Sequence, residues 1–228
     1  MKHLSIKNAL ICLFCFAFFA CSKPDPGLTN PDDAPLAYVL SSPKTDGSTS
    51  VEKSFANRRS RRNYQDKAIS ADQLSQILWA AYGMQVEGKR TSPSAGALYS
   101  LELYVAVGNV EGIAPGVYKY NPEEHTIKKV AEGEVRGDFD EGMLKKAPVL
   151  MLISADFEKA IESYGEEDLK YVYMEVGHVG QNVYLQAEAL GLGTCAVAGV
   201  AGAGNVREAF AIPANEVGLY LMPIGCYN

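Results

Sequence analysis

Arg90-Thr91-Ser92-Pro93-Ser94-Ala95-Gly96-Ala97-Leu98-Tyr99 stands between an apolar-periodic helix pattern and a strand pattern, Leu101 to Gly108. Its serines, proline and glycine give backbone N–H groups room to turn toward a ligand. A loop of this kind beside a helix start suits a polar ring or an anion. Taken alone it describes an ordinary turn equally well, and the flanking segments decide the matter.

Upstream, Ser70 is a good N-cap, with Asp72 and Gln73 in the first turn and Leu74, Ile77, Leu78 and Ala81 on one face. Trp79 and Tyr82 widen that apolar surface, and Gly83 is a plausible stop. Further back, Ser54-Phe55-Ala56-Asn57 leads into Arg58-Arg59-Ser60-Arg61-Arg62-Asn63-Tyr64. Arginines crowded around one serine repel one another unless an anion sits among them, and Arg presents paired donors suited to phosphate. The alternative is a solvated basic turn.

Downstream, Gly116 to Tyr120, the turn Asn121-Pro122-Glu123-Glu124 and Thr126 to Val130 read as a hairpin. Glu132 to Lys146 is polar and reads as helical. Ala147 to Ser154 is a nearly unbroken apolar run, the length of a central strand buried on both faces. Glu166 to Leu190 is the longest helix, with Val172, Val176, Val179, Val183 and Leu190 at helical spacing. It also carries Glu175, His178, Gln181 and Asn182, while Gly177 and Gly180 thin one face. Glu175 and Gln181 read first as hydrogen-bonded partners inside a helix interface, and His178 as a structural histidine. Gly191-Leu192-Gly193 ends the helix. A short extended stretch, Thr194 to Gly199, a small helix from Asn205 to Phe210 and a last strand, Val217 to Ile224, complete the chain. Helices between most strands give an α+β or α/β class with one central sheet.

With 47% hydrophobic and 21% charged residues, the 228-residue chain has an ordinary globular composition. A net charge of −6, with no basic stripe beyond Arg58 to Arg62, argues against a nucleic-acid partner. Lys2 and Lys7 precede an apolar run, Ala9 to Ala20, too short for a comfortable membrane span and built like a secretory signal. The ending Ala17-Phe18-Phe19-Ala20-Cys21 resembles a bacterial lipobox. Residues 1–20 are therefore expected to be a signal peptide, and Cys21 the lipidated anchor of a protein on the periplasmic face or outer membrane. Residues 21–50, rich in Pro, Asp, Ser, Thr and Gly, read as a flexible tether, and residues 51–228 as the folded domain. In that domain Cys195 and Cys226 could pair if their strands are neighbours; free thiols are the simpler expectation. His125 and His178 do not make a metal site, and none is expected.

Taken together the segments resemble the FMN-dependent nitroreductase family, and within it the SagB-type dehydrogenase branch. The resemblance covers Ser54 onward and rests on blocks in the right order. They are Arg58 to Tyr64; Pro93 to Tyr99; Glu175-Val176-Gly177-His178-Val179-Gly180-Gln181-Asn182 running into Gly191-Leu192-Gly193; and Pro223-Ile224-Gly225. It implies a nitroreductase-like α+β fold, a central mixed sheet flanked by helices, and a homodimer.

The resemblance also implies a site. Arg58, Arg59, Ser60 and Arg62 would grip the FMN phosphate and part of its ribityl chain. Pro93, Ser94, Ala95, Gly96 and Leu98 would lie along the flavin, reaching across from the partner subunit. Val197, Ala198 and Gly199 would pass over one ring face, with a backbone N–H near N5, where a donor favours the reduced anionic flavin. Tyr99, Phe157, Tyr164 and Tyr171 are the aromatic candidates for the substrate face. Family members that end in a further Arg or Lys use it on the phosphate; here Asn228 follows Gly225 closely, which shifts that load to the N-terminal arginines. Azoline-oxidising SagB-type enzymes carry a Lys-Tyr pair before the long helix. The nearest equivalents are Ser163-Tyr164 and Lys170-Tyr171, which argues against peptide heterocycle oxidation.

The expected activity is two-electron transfer through flavin N5 to or from a small substrate, with no dedicated acid or base. The electron donor is open, with NAD(P)H among the candidates. The competing expectation is a non-catalytic envelope lipoprotein that binds flavin or a partner.

Overall fold

The computed structural model describes residues 36–140, 142–166 and 169–228. The expected signal segment, the lipidation site Cys21 and the first part of the expected tether lie outside the described residues.

Local chemistry sets the helix starts. Helix α1, Val51–Asn57, begins where the Ser50 hydroxyl accepts the Lys53 N–H. Helix α2, Ala71–Tyr82, begins in a reciprocal cap: Ser70 Oγ takes the Gln73 N–H at 3.1 Å and Gln73 Oε1 takes the Ser70 N–H at 2.9 Å. Its apolar stripe, Leu74, Ile77, Leu78 and Ala81, is fully buried.

The strands are β1 Ala37–Val39, β2 Leu101–Val107, β3 Gly116–Asn121, β4 Thr126–Glu132, β5 Val149–Asp156, β6 Gly193–Thr194 and β7 Glu216–Gly225. They form one seven-stranded sheet in the order β1-β4-β3-β2-β5-β7-β6. The class is α+β, as expected, but the expected mixed sheet is corrected: each of these neighbours pairs antiparallel. Helices between strands suggest parallel crossovers. Here β2 to β4 form a meander, and the long excursion through α4, Phe157–Tyr164, and α5, Lys170–Ala189, returns β7 antiparallel to β5.

Side chains alternate across the sheet, so the strands serve two cores. On one face Leu103, Val105, Met151, Ile153 and Met222 pack under α2 and α5. On the other, Tyr104, Leu150, Leu152 and Leu221 meet Phe139, Leu144, Val206 and Phe210 from the segments around α3, Gly142–Lys146, and α6, Gly204–Ala209. β5 is thus buried on both faces, as its apolar run predicts. A charge also enters the second layer: Glu216, 4% exposed, accepts from Ser154 Oγ at 2.6 Å and Tyr104 Oη at 3.0 Å, with Lys119 Nζ at 3.4 Å.

Two segments differ from expectation. Among the described residues between Glu132 and Lys146, a 3₁₀ turn, Arg136–Asp138, and the short α3 are helical. Gly133, Gly137 and Gly142 interrupt the segment, and Arg136 closes it on itself by donating to Ala147 O at 2.6 Å. Residues 36–50, part of the expected tether, are built into the domain. β1 pairs with β4, Ser75 Oγ donates to Ser41 O at 2.7 Å, and the Gln76 amide bonds Lys44 N at 2.8 Å and Lys44 O at 3.0 Å. Polar composition implies few buried side chains; it does not exclude a backbone held by sheet and amide contacts.

Candidate functional site

The arginine block follows α1 and docks on the end of the sheet. Arg61 points inward: its N–H donates to Thr194 O at 3.0 Å and its guanidinium lies 3.7 Å from the centroid of the Tyr227 ring. Tyr64 Oη donates toward Arg61 O at 2.7 Å and Pro223 O at 3.1 Å, which fixes the turn. With Arg61 so used, Arg59, Ser60 and Arg62 remain exposed to solvent. Arg58 lies 5.1 Å from the centroid of the Tyr184 ring.

Tyr184, on α5, ties this block to the next segment. Its hydroxyl accepts the Ala196 N–H at 2.8 Å and sits 2.9 Å from Ser60 Oγ. Val197 forms a bridge with Leu221, and Ala198 and Gly199 beyond it are exposed. A Cβ on Gly199 would meet nothing within 4 Å, so no packing in the chain requires glycine there. Among the described residues, the buried side-chain polar atoms without a partner are Arg61 Nε and Thr194 Oγ1, both at this junction.

The Pro93–Leu98 loop is held elsewhere. Buried Ser92 donates to Ala81 O at 2.8 Å and accepts from Asn182 Nδ2 at 2.9 Å. A 3₁₀ turn, Ala95–Ala97, follows, with Gly96 and Ala97 at φ +55° and Tyr99 at +53°. Only Gly96 is a residue type that takes this conformation cheaply. The Tyr164 hydroxyl donates to Ala95 O. A pocket of about 640 Å³ opens beside the loop, lined by Lys89, Arg90, Thr91, Pro93, Gly96 and Tyr99 among others.

Asn182 holds the loop and Tyr184 holds the arginine block. A helix turns about 100° per residue, so these two positions point roughly 200° apart. The loop and the block therefore dock on opposite sides of α5. Behind the loop, Glu175, 4% exposed, accepts from Tyr82 Oη at 2.6 Å, and burial pushes its carboxyl above the usual range. Arg90 lies 4.4 Å from the Tyr82 ring centroid and 4.8 Å from that of Tyr99.

A model of the nitroreductase family matches residues 55–226. The chain belongs to the nitroreductase family. A Methanocaldococcus jannaschii protein named as a nitroreductase is 44% identical over 181 residues, 77% of this chain and 90% of that protein. The Escherichia coli microcin B17-processing protein McbC is 29% identical over 143 residues, 57% of this chain and 53% of its own length. In fold, a nitroreductase-type structure from Ralstonia eutropha superposes with a TM-score of 0.76 at 22% identity, covering 91% of this chain and 95% of the other.

Members of the nitroreductase family generally bind FMN. On this nitroreductase chain the donor set fits such a group. Arg58, Arg59, Ser60 and Arg62 would supply charge and hydroxyl to a phosphate, and the exposed Gly199 leaves its backbone open to a ligand. The sequence-predicted residues fall into two clusters: the arginine block with Val197, Ala198 and Gly199, and the Pro93–Leu98 loop across α5. Of the aromatic candidates, Tyr99 and Tyr164 reach the loop, Tyr171 meets Tyr164 edge to face with ring centroids 5.7 Å apart, and Phe157 pairs instead with Tyr173 at 5.9 Å. Lys170 Nζ lies 5.2 Å from the centroid of the Tyr171 ring.

One reading changes. His178 is exposed, not an interior structural histidine, because the buried stripe of α5 runs through Val172, Val176, Val179 and Val183 and leaves 178 off it. Cys195 and Cys226 are both free thiols, the simpler expectation, although β6 and β7 are neighbours. Tyr184 and Arg90 were missed. Each acts on a residue far away in sequence or through a ring face, and no local pattern marks that.

Proposed function

We propose that this protein is an FMN-dependent oxidoreductase that works as a homodimer, tethered to the bacterial envelope through a lipid on Cys21. The reading rests on the division of the site by α5. Neither cluster alone surrounds a flavin, whereas a second copy supplies its Pro93–Leu98 loop to the first copy's arginine block. Val51 and Phe55 on α1 and Tyr173 and Met174 on α5 are large exposed apolar side chains, and a partner surface would cover them.

Arg58, Arg59 and Arg62 hold the phosphate by charge, and Ser60 adds a donor. The Tyr184 hydroxyl accepts the Ala196 N–H, which leaves its own proton available to Ser60 Oγ and frees the serine proton for the ligand. The backbone N–H groups of Ala198 and Gly199 would be available to the ring. Bound flavin supplies two-electron transfer at N5. Tyr99, Tyr164 and Tyr171 offer aromatic surface that positions a small substrate and excludes water. Peptide heterocycle oxidation is not part of this reading, since Ser163-Tyr164 lacks the lysine and Lys170-Tyr171 opens α5 instead of preceding it.

The test is the visible absorption spectrum of the purified chain with and without added FMN, followed by NADH or NADPH. Flavin bands that shift on binding and bleach on reduction are expected. Bound flavin that no nicotinamide reduces points to another donor or to a carrier. A protein that binds no FMN overturns the proposal.

A further inference from the structure

Residues 38–44 cross the domain as a strap, and the middle of that strap is fastened to one imidazole. Ser41 O accepts from Ser75 Oγ at 2.7 Å and lies 3.0 Å from His125 Nε2. His125 Nε2 is also 2.9 Å from Ser75 Oγ, and its Nδ1 is 2.8 Å from Tyr120 Oη. Ser75 and Tyr120 are buried. These distances fix the protons. The Ser75 proton is committed to Ser41 O, and a carbonyl only accepts. Nε2 faces that carbonyl and therefore carries the ring hydrogen. Nδ1 is then bare and takes the Tyr120 proton. The Leu40 N–H donates to His125 O at 3.1 Å, so backbone and ring grip the strap together. His125 itself sits at φ +50° in the β3–β4 turn, a conformation that its surroundings must hold.

We infer that His125 is a pH-sensitive latch: its neutral ring fastens residues 38–44 to the domain, and a second ring proton lets that segment come away while the sheet stays folded. A proton on Nδ1 meets the Tyr120 hydroxyl, which must then give up its donation. The new charge has no anion to meet. Among the described residues His125 forms no ion pair with a carboxylate. Tyr120 faces the ring from β3 and Ser75 from α2. Asp72, one turn before Ser75, Glu123 and Glu124 in the turn, and Lys44 on the strap are exposed to solvent, and Glu123 is drawn off by Arg90 at 2.8 Å. Burial lowers the imidazole's hold on a proton, against an opposing pull from Ser41 O. The latch is therefore complete above the ordinary histidine range and is lost as pH falls through it. On either side of it, β1 contributes three residues of edge pairing and Gln76 two bonds to Lys44, so its loss leaves the segment on short ties.

The experiment follows hydrogen exchange at the Leu40 amide of the full chain, corrected for intrinsic exchange, at about pH 8 and about pH 5, the limits between which a histidine titrates. That amide bonds the His125 carbonyl, so it reports the strap and not the ring. Its protection is expected to fall about fivefold at the lower pH while β2 and β5 stay protected. In His125→Gln, whose amide can serve Ser41 O and Tyr120 without titrating, the fall is expected to disappear. In Gln76→Ala protection is expected to drop at both pH values and the fall to persist, since that clamp carries no titrating group. Imidazole nitrogen shifts of the wild type give a second measurement: the Nε2–H form at neutral pH, and a ring midpoint that coincides with the loss of Leu40 protection. Constant Leu40 protection through the ring's titration overturns the inference, as does an equal fall in the central strands or a fall retained in His125→Gln. If His125→Gln does not fold, the two wild-type midpoints decide. The result is independent of whether the chain binds FMN.

Discussion

Replacing Tyr184 with Phe removes one oxygen that serves both Ser60 and the Ala196 N–H. Losing a hydrogen bond of this kind costs about 1 kcal/mol of stability. The effect on the site is larger, because the arginine block and the Ala196–Gly199 segment lose their common strut. Tyr184→Phe is expected to weaken FMN binding about tenfold, read by quenching of flavin fluorescence, while the melting temperature falls by only a few degrees. A second residue-scale prediction concerns pH. Burial raises the Glu175 carboxyl, so the folded chain holds that proton more tightly than the unfolded chain. Its contribution is then complete below the ordinary carboxylate range and is lost as pH rises through the raised value. Glu175→Gln stays neutral throughout. The variant should therefore gain stability relative to wild type between acid and neutral pH, measured by urea denaturation at both; a constant difference contradicts the raised carboxyl. At this scale the sequence was half legible. Arg59, Ser60 and Arg62 are exposed and Arg58 is half-buried, but nothing local distinguishes Arg61, which turns inward onto Tyr227.

Elements followed the sequence where one turn of chain contains the cause. The Ser70–Gln73 cap is such a case, and Ser70→Ala is expected to cost α2 about 1 kcal/mol, seen as a lower thermal midpoint with unchanged flavin affinity. The Leu74-to-Ala81 stripe, the apolar run of β5 and the valine repeat of α5 were legible for the same reason: burial imposes a period on the chain. What was not legible depended on distant partners. β1 exists because β4 offers an edge, and its exposed–half-buried–exposed pattern carries no strand signal. The antiparallel return of β7 is a property of topology. The two duties of α5, Asn182 to one side and Tyr184 to the other, appear only once the segments that dock on it are known.

For the whole molecule, the outward face of α5 is the feature to test. Tyr173 and Met174 are 58% and 56% exposed, and Phe55 on α1 is 57% exposed. A charge inside an apolar interface is strongly unfavourable, so Met174→Glu is expected to shift the chain from dimer to monomer in sedimentation and to reduce FMN binding with it. A wild-type chain that is monomeric yet binds FMN fully would defeat the two-copy site. One further property follows from the order in which the chain enters its sheet. Any pull applied N-terminal to Leu36 loads β1 first, a three-residue strand at the sheet edge. Those few bonds peel before the Gln76 clamp on Lys44 takes up the strain, and both lie ahead of α1 and the arginine block. The strand and the clamp behave as mechanical fuses in series, which yield to traction while the arginine block stays at rest.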